Sequence, residues 1–400
     1  MIINMAMPPV KSQFPAPVYI DAAFRSPIGK FGGSLRRFQA GALAAFGLRE
    51  SVARATHAAP PDIVFMGHAR QAGAGPNTAR QAVYFSGLSE TIPAITVNQA
   101  CASGLTAVIQ GAERIALGRA RSVWAGGTES MSNTPYLIPQ ARFGNKMGNF
   151  PLLDGMYKDG FFCPMSDMVM GETVERFIAW ELKVSRHEQD EWALLSQTRA
   201  AAATRAGQFQ SELLPVPAEG KHAGLDNDEH RREETTLETL AKLPPVFDAQ
   251  TGTITAGNAS GITDGTAWLH LSAAKGAETM AEILDYEMVA IDPRRMGLAP
   301  IPSIRHLLAR HHLKVDDIEA FEINEAFAAQ IVACNRELKI APERLNVRGG
   351  SIALGHPIGA TGARITVTLL HALAGKSGAL GVASLCVSGG MGVSLLVRVA

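Results

Sequence analysis

The sequence predicts a compact α/β protein in which two alternating regions flank a long loop-rich stretch. Short β-branched runs alternate with amphipathic helical segments over residues 18–130 and again from residue 285. The 400 residues are 46% hydrophobic and 18% charged, which suits a large buried core and excludes a disordered or fibrous chain. A chain of this length is expected to form two or three domains.

The first alternating region contains three predicted buried strands, at residues 63–66, 94–97 and 122–125. Apolar residues between 105 and 116 share one helical face, and Gly118 is expected to end this helix. A strand leads into a turn and a helix at residues 97–101. We expect a similar arrangement before His356, and the repetition suggests a duplicated α/β half.

Residues 132–261 have a different composition, rich in Gly, Pro, Met and Asn. One helix is predicted there, because Ser185 and Glu188 form a capping-box pattern, and it is expected to run to about Gly207. We interpret this stretch as an inserted loop domain.

Alternation resumes in the last third of the chain, with strands predicted at residues 287–291, 318–323 and 379–387. These elements suggest three units. They are an N-terminal half at residues 1–131 that is completed by residues 262–284, the inserted loop domain at residues 132–261, and a C-terminal half at residues 285–400.

Charge and cysteine content limit the partners and the compartment. Lys+Arg and Asp+Glu both number 37, so neither nucleic acid nor an anionic membrane surface is an expected partner. The four cysteines form no Cys-x-x-Cys pair, which favours a reducing compartment. Residues 1–17 lack the features of a signal peptide, and no apolar run is long enough to span a bilayer. The expected location is the cytoplasm.

Cys101 is the first candidate for chemistry, in the segment 98–104 (NQACASG) between a predicted strand and a predicted helix. A thiol at a helix N-terminus faces the positive end of the helix dipole, which is expected to lower its pKa and favour the nucleophilic thiolate. The alternative is a small apolar residue packed under the helix.

Three further residues are candidates, and each has a structural alternative. His356 can exchange a proton near neutral pH, or it can cap a Gly-rich turn. Cys386 precedes crowded glycines that expose backbone N–H groups, or it is a buried strand residue. Asn324 can fix a water or an oxyanion, or it can cap the next helix.

Metal and dinucleotide sites are not indicated. The histidines show no metal-ligand spacing. Gly355, Gly359 and Gly362 do not form the G-x-G-x-x-G pattern, and no acidic residue lies between Ala363 and Cys386 to hold a ribose hydroxyl.

In combination and in this order, the motifs resemble those of the thiolase family over residues 18–399. The main motifs are 98–104 (NQACASG), 324–327 (NEAF), 355–364 (GHPIGATGAR) and 386–392 (CVSGGMG). Supporting segments are 25–33 (RSPIGKFGG), 126–132 (GGTESMS) and 255–261 (TAGNASG).

The resemblance implies a five-layered αβαβα fold of two βαβαβαββ halves, with the loop domain inserted in the first half. It also implies a homodimer or homotetramer. The implied reaction interconverts a 3-ketoacyl-CoA plus CoA with a shortened acyl-CoA plus acetyl-CoA, including acetoacetyl-CoA and two acetyl-CoA. Coenzyme A is then a substrate, and no metal or other cofactor is expected.

The resemblance also implies a role for each matching residue. Cys101 matches the acylated nucleophile, His356 its activating base, and Cys386 the acid/base acting at the α-carbon of acetyl-CoA. Asn324 matches the residue that orients a water beside the enolate. The backbone N–H groups of Cys101 and Ser388 match the donors to the tetrahedral oxyanion. Positions near CoA or the acyl group are matched by Ser260, Ala256, Arg232, Met170, Met296 and Phe327.

Three departures from the family pattern affect these expectations. Ser388 replaces the usual Gly, which costs strain if the position requires a positive φ. Val169 replaces a His common in acetoacetyl-CoA-specific members, and Arg348 replaces the second Asn of Asn-x-Asn-Gly-Gly. The alternatives are a catalytically impaired acyl-CoA- or lipid-binding protein and a ketoacyl synthase, in which a His or Asn stands in place of Cys386.

Overall fold

The computed structural model describes residues 10–400, so the first nine residues of the segment examined for a signal peptide lie outside the described part. The strands are β1 (Val18–Arg25), β2 (Gly29–Lys30), β3 (Ile63–Gly67), β4 (Ala94–Val97), β5 (Ser122–Ser130), β6 (Tyr136–Leu137), β7 (Leu153–Asp154), β8 (Phe162–Cys163), β9 (Met168–Val169), β10 (Thr263–Ser272), β11 (Ala281–Ala290), β12 (Ala320–Ile323), β13 (Leu380–Val387) and β14 (Met391–Val399).

The α-helices are α1 (Ala40–Arg54), α2 (Thr78–Ser86), α3 (Ser103–Ala116), α4 (Met170–Val174), α5 (Arg186–Arg205), α6 (Leu237–Ala241), α7 (Pro300–Arg310), α8 (Ala328–Leu338), α9 (Ser351–Leu354) and α10 (Ile358–Ala372). Two π-helical segments, Tyr157–Phe161 and Glu175–Trp180, lie in the loop-rich stretch. No helix within residues 10–400 is both long and apolar enough to cross a membrane.

Two half-sheets join into one ten-stranded sheet. The first half has the order β4-β3-β5-β10-β1, in which β3 is parallel to both β4 and β5, and the short strand β2 also pairs with β10. The second half has the order β12-β13-β14-β11, in which β12 and β13 are parallel. The halves are connected where β1 pairs with β11, from Val18↔Ile283 to Ile20↔Ala281.

Five layers result from the helices that cover these half-sheets. The helices α3 and α10 pack on each other and on strands of both halves, so they form the central layer. The helices α1 and α2 cover the outer face of the first half-sheet, and α7 and α8 cover that of the second. Gly104 permits the central contact, because a Cβ there would lie 2.9 Å from the backbone nitrogen of Ala363.

Residues 131–262 connect β5 to β10, which are antiparallel neighbours over nine residue pairs. A buried ion-pair network ties this connection to the sheet. Arg25 at the end of β1 bonds Glu212 at 2.5 Å and Asp228 at 2.7 Å. The connection therefore packs against the carboxyl end of β1. The division of the chain into three units at residues 131 and 261 stays a prediction.

Most predicted elements are confirmed. The strands expected at residues 63–66, 94–97 and 122–125 are β3, β4 and β5. Helix α5 has its capping box, with the Ser185 backbone N–H donating to Glu188 at 2.8 Å, although the helix ends at Arg205. The strand expected at residues 287–291 begins earlier, at Ala281.

Two expectations about local structure are wrong. The residues before His356 form helix α9 and not a strand, because the four residues 351–354 (SIAL) between two glycines are too few to show a period that separates a helix from a strand. The loop-rich stretch contains α4, α6 and two π-helical segments besides α5. These elements are too short for a helical period to be visible in the sequence.

Candidate active site

Cys101 lies in a strained turn between β4 and α3. The preceding residue, Ala100, has φ +47°, a left-handed conformation that is uncommon for a residue with a side chain. Asn98 holds the turn by accepting the Ala100 N–H at 3.0 Å, and Ser103 holds it by donating to the Ala100 carbonyl at 2.7 Å. This strained residue immediately precedes Cys101, which the sequence predicts as the nucleophile.

The environment of the Cys101 thiol contradicts one expectation. Burial raises its pKa, whereas Arg70 and the backbone N–H groups of Ser388 and Cys101 lower it. The predicted net decrease is therefore wrong: desolvation of a nearly buried sulfur outweighs these favourable interactions. The resting side chain is a neutral thiol that needs a base.

His356 is arranged to be that base. Its Nδ1 lies 2.7 Å from the Thr361 hydroxyl, and that hydroxyl donates its own proton to the Pro357 carbonyl at 2.9 Å. The Thr361 oxygen must therefore accept from Nδ1–H, which leaves the lone pair on Nε2. Burial, with Arg364 and Arg70, lowers the pKa of His356 to about 3, so the imidazole is neutral.

A neutral buried imidazole makes the fold sensitive to acid. His356 has a pKa of about 3 in the folded protein against 6.5 in the unfolded chain, so stability is lost as the pH falls from 6.5 towards 3. At pH 5 this linkage is worth about 2 kcal/mol. We expect His356→Gln to reduce the stability lost between pH 7.5 and pH 5 by about that amount, measured by urea unfolding. The exposed His187→Gln should leave the loss unchanged.

Cys386 and Ser388 lie where β13 turns into β14. Cys386 is buried, and burial, together with the nearby Cys101 and Cys334, raises its pKa well above the ordinary value. The positive φ angles of the turn fall on Gly389 (+86°) and Gly390 (+81°), whereas φ of Ser388 is not positive. Serine therefore fits at position 388 without backbone strain.

Asn324 follows β12 and is buried. Its Oδ1 accepts the Ser351 hydroxyl at 2.6 Å, and its Nδ2 is buried without a partner among the described residues. The carbonyl side of the amide is thus fixed, and the amino group is the free donor. Asn324 does not itself line the cavity described next.

A cavity of about 690 Å³ brings together ten of the eleven site residues predicted from the sequence. They are Cys101, His356, Cys386, Ser388, Ser260, Ala256, Arg232, Met170, Met296 and Phe327. Cys101, His356 and Cys386 come from the β4–α3 turn, the α9–α10 turn and strand β13, so three separate segments of the chain converge on one cavity.

The remaining walls come from the loop-rich connection. Val169 and Met170 lie at the start of α4, and Phe247 closes the same side. Ser260 and Phe327 are held beside each other, since the Ser260 N–H donates to the Ala326 carbonyl at 3.0 Å and Ala259 bridges Phe327. Arg232 lies where this cavity meets a second one of about 520 Å³.

Sequence reasoning missed two residues of the site. Thr361, which sets the His356 tautomer, lies one turn into α10. Arg70 follows β3 and acts on both Cys101 and His356. The position of Arg70 just after a strand is the one signal that points to it, because side chains at the carboxyl ends of neighbouring parallel strands lie close together.

Comparison with known proteins agrees with this architecture. A family model described as the N-terminal domain of thiolase matches residues 18–275, and one described as the C-terminal domain of thiolase matches residues 277–399. The acetyl-CoA acetyltransferase of Cupriavidus necator is 42% identical over 391 residues, which cover 95% of this chain and 99% of that protein.

Solved structures lead to the same family. The Bacillus anthracis acetyl-CoA acetyltransferase has a TM-score of 0.92 at 39% identity, covering 98% of this chain and 100% of that chain. Human mitochondrial 3-ketoacyl-CoA thiolase in complex with CoA has a TM-score of 0.92 at 36% identity, with coverages of 98% and 100%. The layered fold and both family models show that this chain belongs to the thiolase family of acyltransferases.

Proposed function

We propose that this chain interconverts a 3-ketoacyl-CoA plus CoA with a shortened acyl-CoA plus acetyl-CoA through an S-acyl intermediate on Cys101. The observation that carries the proposal is the convergence of two thiols and a neutral imidazole on one cavity. The names of the relatives, acetyl-CoA acetyltransferase and 3-ketoacyl-CoA thiolase, support the same substrates.

Acylation begins with proton transfer from the Cys101 thiol to Nε2 of His356. The sulfur attacks the 3-keto carbon, and the carbonyl oxygen becomes an oxyanion. The backbone N–H groups of Cys101 and Ser388 converge near this sulfur and are placed to hold that charge. Collapse of the adduct breaks the bond between C2 and C3, which leaves the acyl group on Cys101 and releases the enolate of acetyl-CoA.

Cys386 supplies the second proton transfer. Its thiol protonates the enolate carbon in thiolysis, and its thiolate removes the same α-proton in condensation. His356 and a water held by the free amino group of Asn324 stabilise the enolate oxygen. Thiolysis ends when the thiol of a CoA molecule transfers its proton to the Cys386 thiolate and its sulfur attacks the acyl group on Cys101. The bond from the Cys101 sulfur to the acyl group breaks, and this sulfur takes back the proton held by His356.

The oxyanion role of Ser388 concerns its backbone and not its hydroxyl. We expect Ser388→Ala to retain kcat within about threefold, since the N–H survives, whereas Ser388→Pro removes the donor and should lower kcat by roughly 10²-fold. Steady-state thiolysis of acetoacetyl-CoA measures both. Equal losses in the two variants would show that the hydroxyl, and not the N–H, is the group in use.

The cavity supports acyl groups longer than acetoacetyl. Val169, Met170, Phe247 and Met296 give it apolar walls, and its volume of about 690 Å³ is that of a site for a sizeable ligand. We expect thiolysis of 3-ketohexanoyl-CoA with a kcat/KM at least equal to that of acetoacetyl-CoA, since each extra methylene that these apolar walls contact is worth about 1–3 kcal/mol. A ladder of 3-ketoacyl-CoA lengths tests the proposal, and no thiolysis of any member would refute it.

The alternatives lose their support at two residues. A catalytically impaired protein was an alternative because a positive φ at Ser388 would have strained the oxyanion site. The φ of Ser388 is not positive, so this reason no longer applies. A ketoacyl synthase requires a His or Asn where Cys386 lies.

We also propose a homodimer or homotetramer that acts in the cytoplasm, in fatty acid metabolism. Exposed apolar side chains on the segment 136–152 support assembly, among them Tyr136, Phe143 and Met147. Light scattering of the purified protein tests the oligomeric state.

A further inference from the structure

Arg70 and Cys101 lie on two segments that follow the neighbouring strands β3 and β4. Arg70 lies three residues after β3 and Cys101 four residues after β4, and these parallel strands end in register at Gly67↔Val97. The Asn98 amide links the two segments, because it donates to the Ala69 carbonyl at 3.1 Å while it accepts the Ala100 N–H at 3.0 Å. Arg70 is therefore built into the support of the Cys101 turn.

The Arg70 guanidinium is buried with little compensation. The residue is 5% exposed, and its Nη1 donates to the Asp159 carbonyl at 3.3 Å. Its Nε and Nη2 are buried without a partner within residues 10–400, and no ion pair joins it to a carboxylate there. An arginine does not lose its proton in a protein, so burial of this charge lowers the free energy of unfolding.

The surroundings fix the cation in place. The guanidinium carbon lies 5.4 Å from the ring centroid of Phe161, which lines the cavity with Cys101. Gly160 leaves the room for it, because a Cβ there would lie 1.9 Å from that carbon. The nearby carboxylate of Glu129 accepts the backbone N–H groups of Ala69 and Arg70, at 3.2 and 3.1 Å.

We propose that Arg70 is a positioning residue for acyl transfer, whose buried positive charge stabilises the thiolate of Cys101. The proposal rests on the role of Cys101 proposed above. The charge acts through space and not through the substrate, since Arg70 is not among the residues lining the cavity and its segment is tied to the Cys101 turn by Asn98.

The two charged groups nearest to Cys101 act on its pKa in opposite directions. Against the effect of burial, Arg70 is the largest influence that lowers the pKa of Cys101, while Glu129 raises it. Cys386 and His356 also face the cavity, and burial keeps both neutral. Farther out, His68 pairs with Glu129, and Asp159 lies near Arg70. Arg70 also lowers the pKa of His356, so a proton taken from Cys101 is readily passed on.

The test is the pH dependence of Cys101 alkylation by iodoacetamide, with the modified cysteine identified by peptide mapping. In Arg70→Met we expect the apparent pKa to rise by about one unit, so that alkylation at pH 7 slows about tenfold. Arg70→Lys should recover most of the shift because it keeps the charge. Replacing a poorly compensated buried charge with an apolar side chain of similar length is compatible with folding. If the methionine variant does not fold, Arg70→Gln carries the test.

Arg54 provides a matched control. It also donates to a backbone carbonyl, that of Leu213 at 2.7 Å, and lies 5.5 Å over the ring of Phe24, but it is remote from the cavity. Arg54→Met should alkylate as the unaltered protein does. If the pH profile of Cys101 alkylation in Arg70→Met superimposed on that of the unaltered protein, the proposal would be overturned. This would hold even if the variant showed a changed KM for thiolysis, because movement of the Phe161 loop alone could change KM.

The alkylation measurement can be interpreted whether or not the proposed function is correct. Alkylation needs no acyl-CoA, so a shifted profile in a protein that acetyl-CoA does not acetylate would refute the acyl-transfer proposal and leave the charge effect standing. Acetylation of the protein together with an unshifted alkylation profile in Arg70→Met would support the acyl-transfer proposal and refute the charge effect of Arg70.

Discussion

Cys101→Ala is expected to lower kcat for acetoacetyl-CoA thiolysis by roughly 10⁴-fold or more. In the proposed mechanism this sulfur carries the acyl group, and the backbone N–H groups of Cys101 and Ser388 converge on it. The variant should still bind CoA, since Arg232 and Ser260 line the cavity independently of the thiol. Activity is followed by loss of acetoacetyl-CoA, and binding by calorimetry.

Cys334→Ala is the matched control for this experiment. Cys334 is also fully buried, on α8, and its Sγ contacts the Gly297 carbonyl at 3.3 Å, but it does not line the cavity. Its loss should affect stability and leave kcat nearly unchanged. If the two variants lost activity to the same extent, the assignment of the nucleophile would be wrong.

Cys386→Ala is expected to separate the two half-reactions. The variant keeps Cys101, His356 and both backbone donors, so acetyl transfer from acetyl-CoA to Cys101 should persist. In the proposed mechanism Cys386 removes the α-proton in condensation, so its loss should lower the condensation rate by roughly 10³-fold. Exchange of the acetyl group between labelled and unlabelled CoA reports the first step, and formation of acetoacetyl-CoA reports the second.

Cys386→Ser gives an intermediate case, because a hydroxyl of similar size is a much weaker acid than a thiol. We expect it to acetylate normally and to condense poorly. Condensation by Cys386→Ala at the unaltered rate would show that another group removes the α-proton.

The sequence predicts the strands of this fold well where short apolar runs are buried on both faces, as in β3 and the first half of β5. It locates β11 only at its end, because residues 281–286 (AEILDY) mix apolar and acidic residues without strict alternation. Helix α5 was predictable from its cap, whereas α9 was not, since a single turn carries no period.

The sequence predicts the residues of the site where their residue types and motifs indicate the chemistry. Cys101, His356 and Cys386 can be named from motifs, but their convergence depends on the packing of α3 against α10 between the half-sheets. Arg70 emerges only when the register of β3 and β4 is known.

The pKa of Cys101 and the fit of Ser388 could not be predicted from the sequence, because burial and backbone φ angles become known only with the fold. The pKa of Cys101 was expected to fall because the helix dipole is visible in the sequence, whereas the burial that outweighs it is not. The doubt about Ser388 concerned φ, and the structure places the left-handed angles on Gly389 and Gly390 instead.

The most direct test of the covalent mechanism is mass spectrometry of the protein after incubation with acetyl-CoA alone, followed by peptide mapping. We predict the mass of a single acetyl group, carried on the peptide that contains Cys101 and removed by added CoA. An unmodified protein, or an acetyl group on another cysteine, would contradict the mechanism.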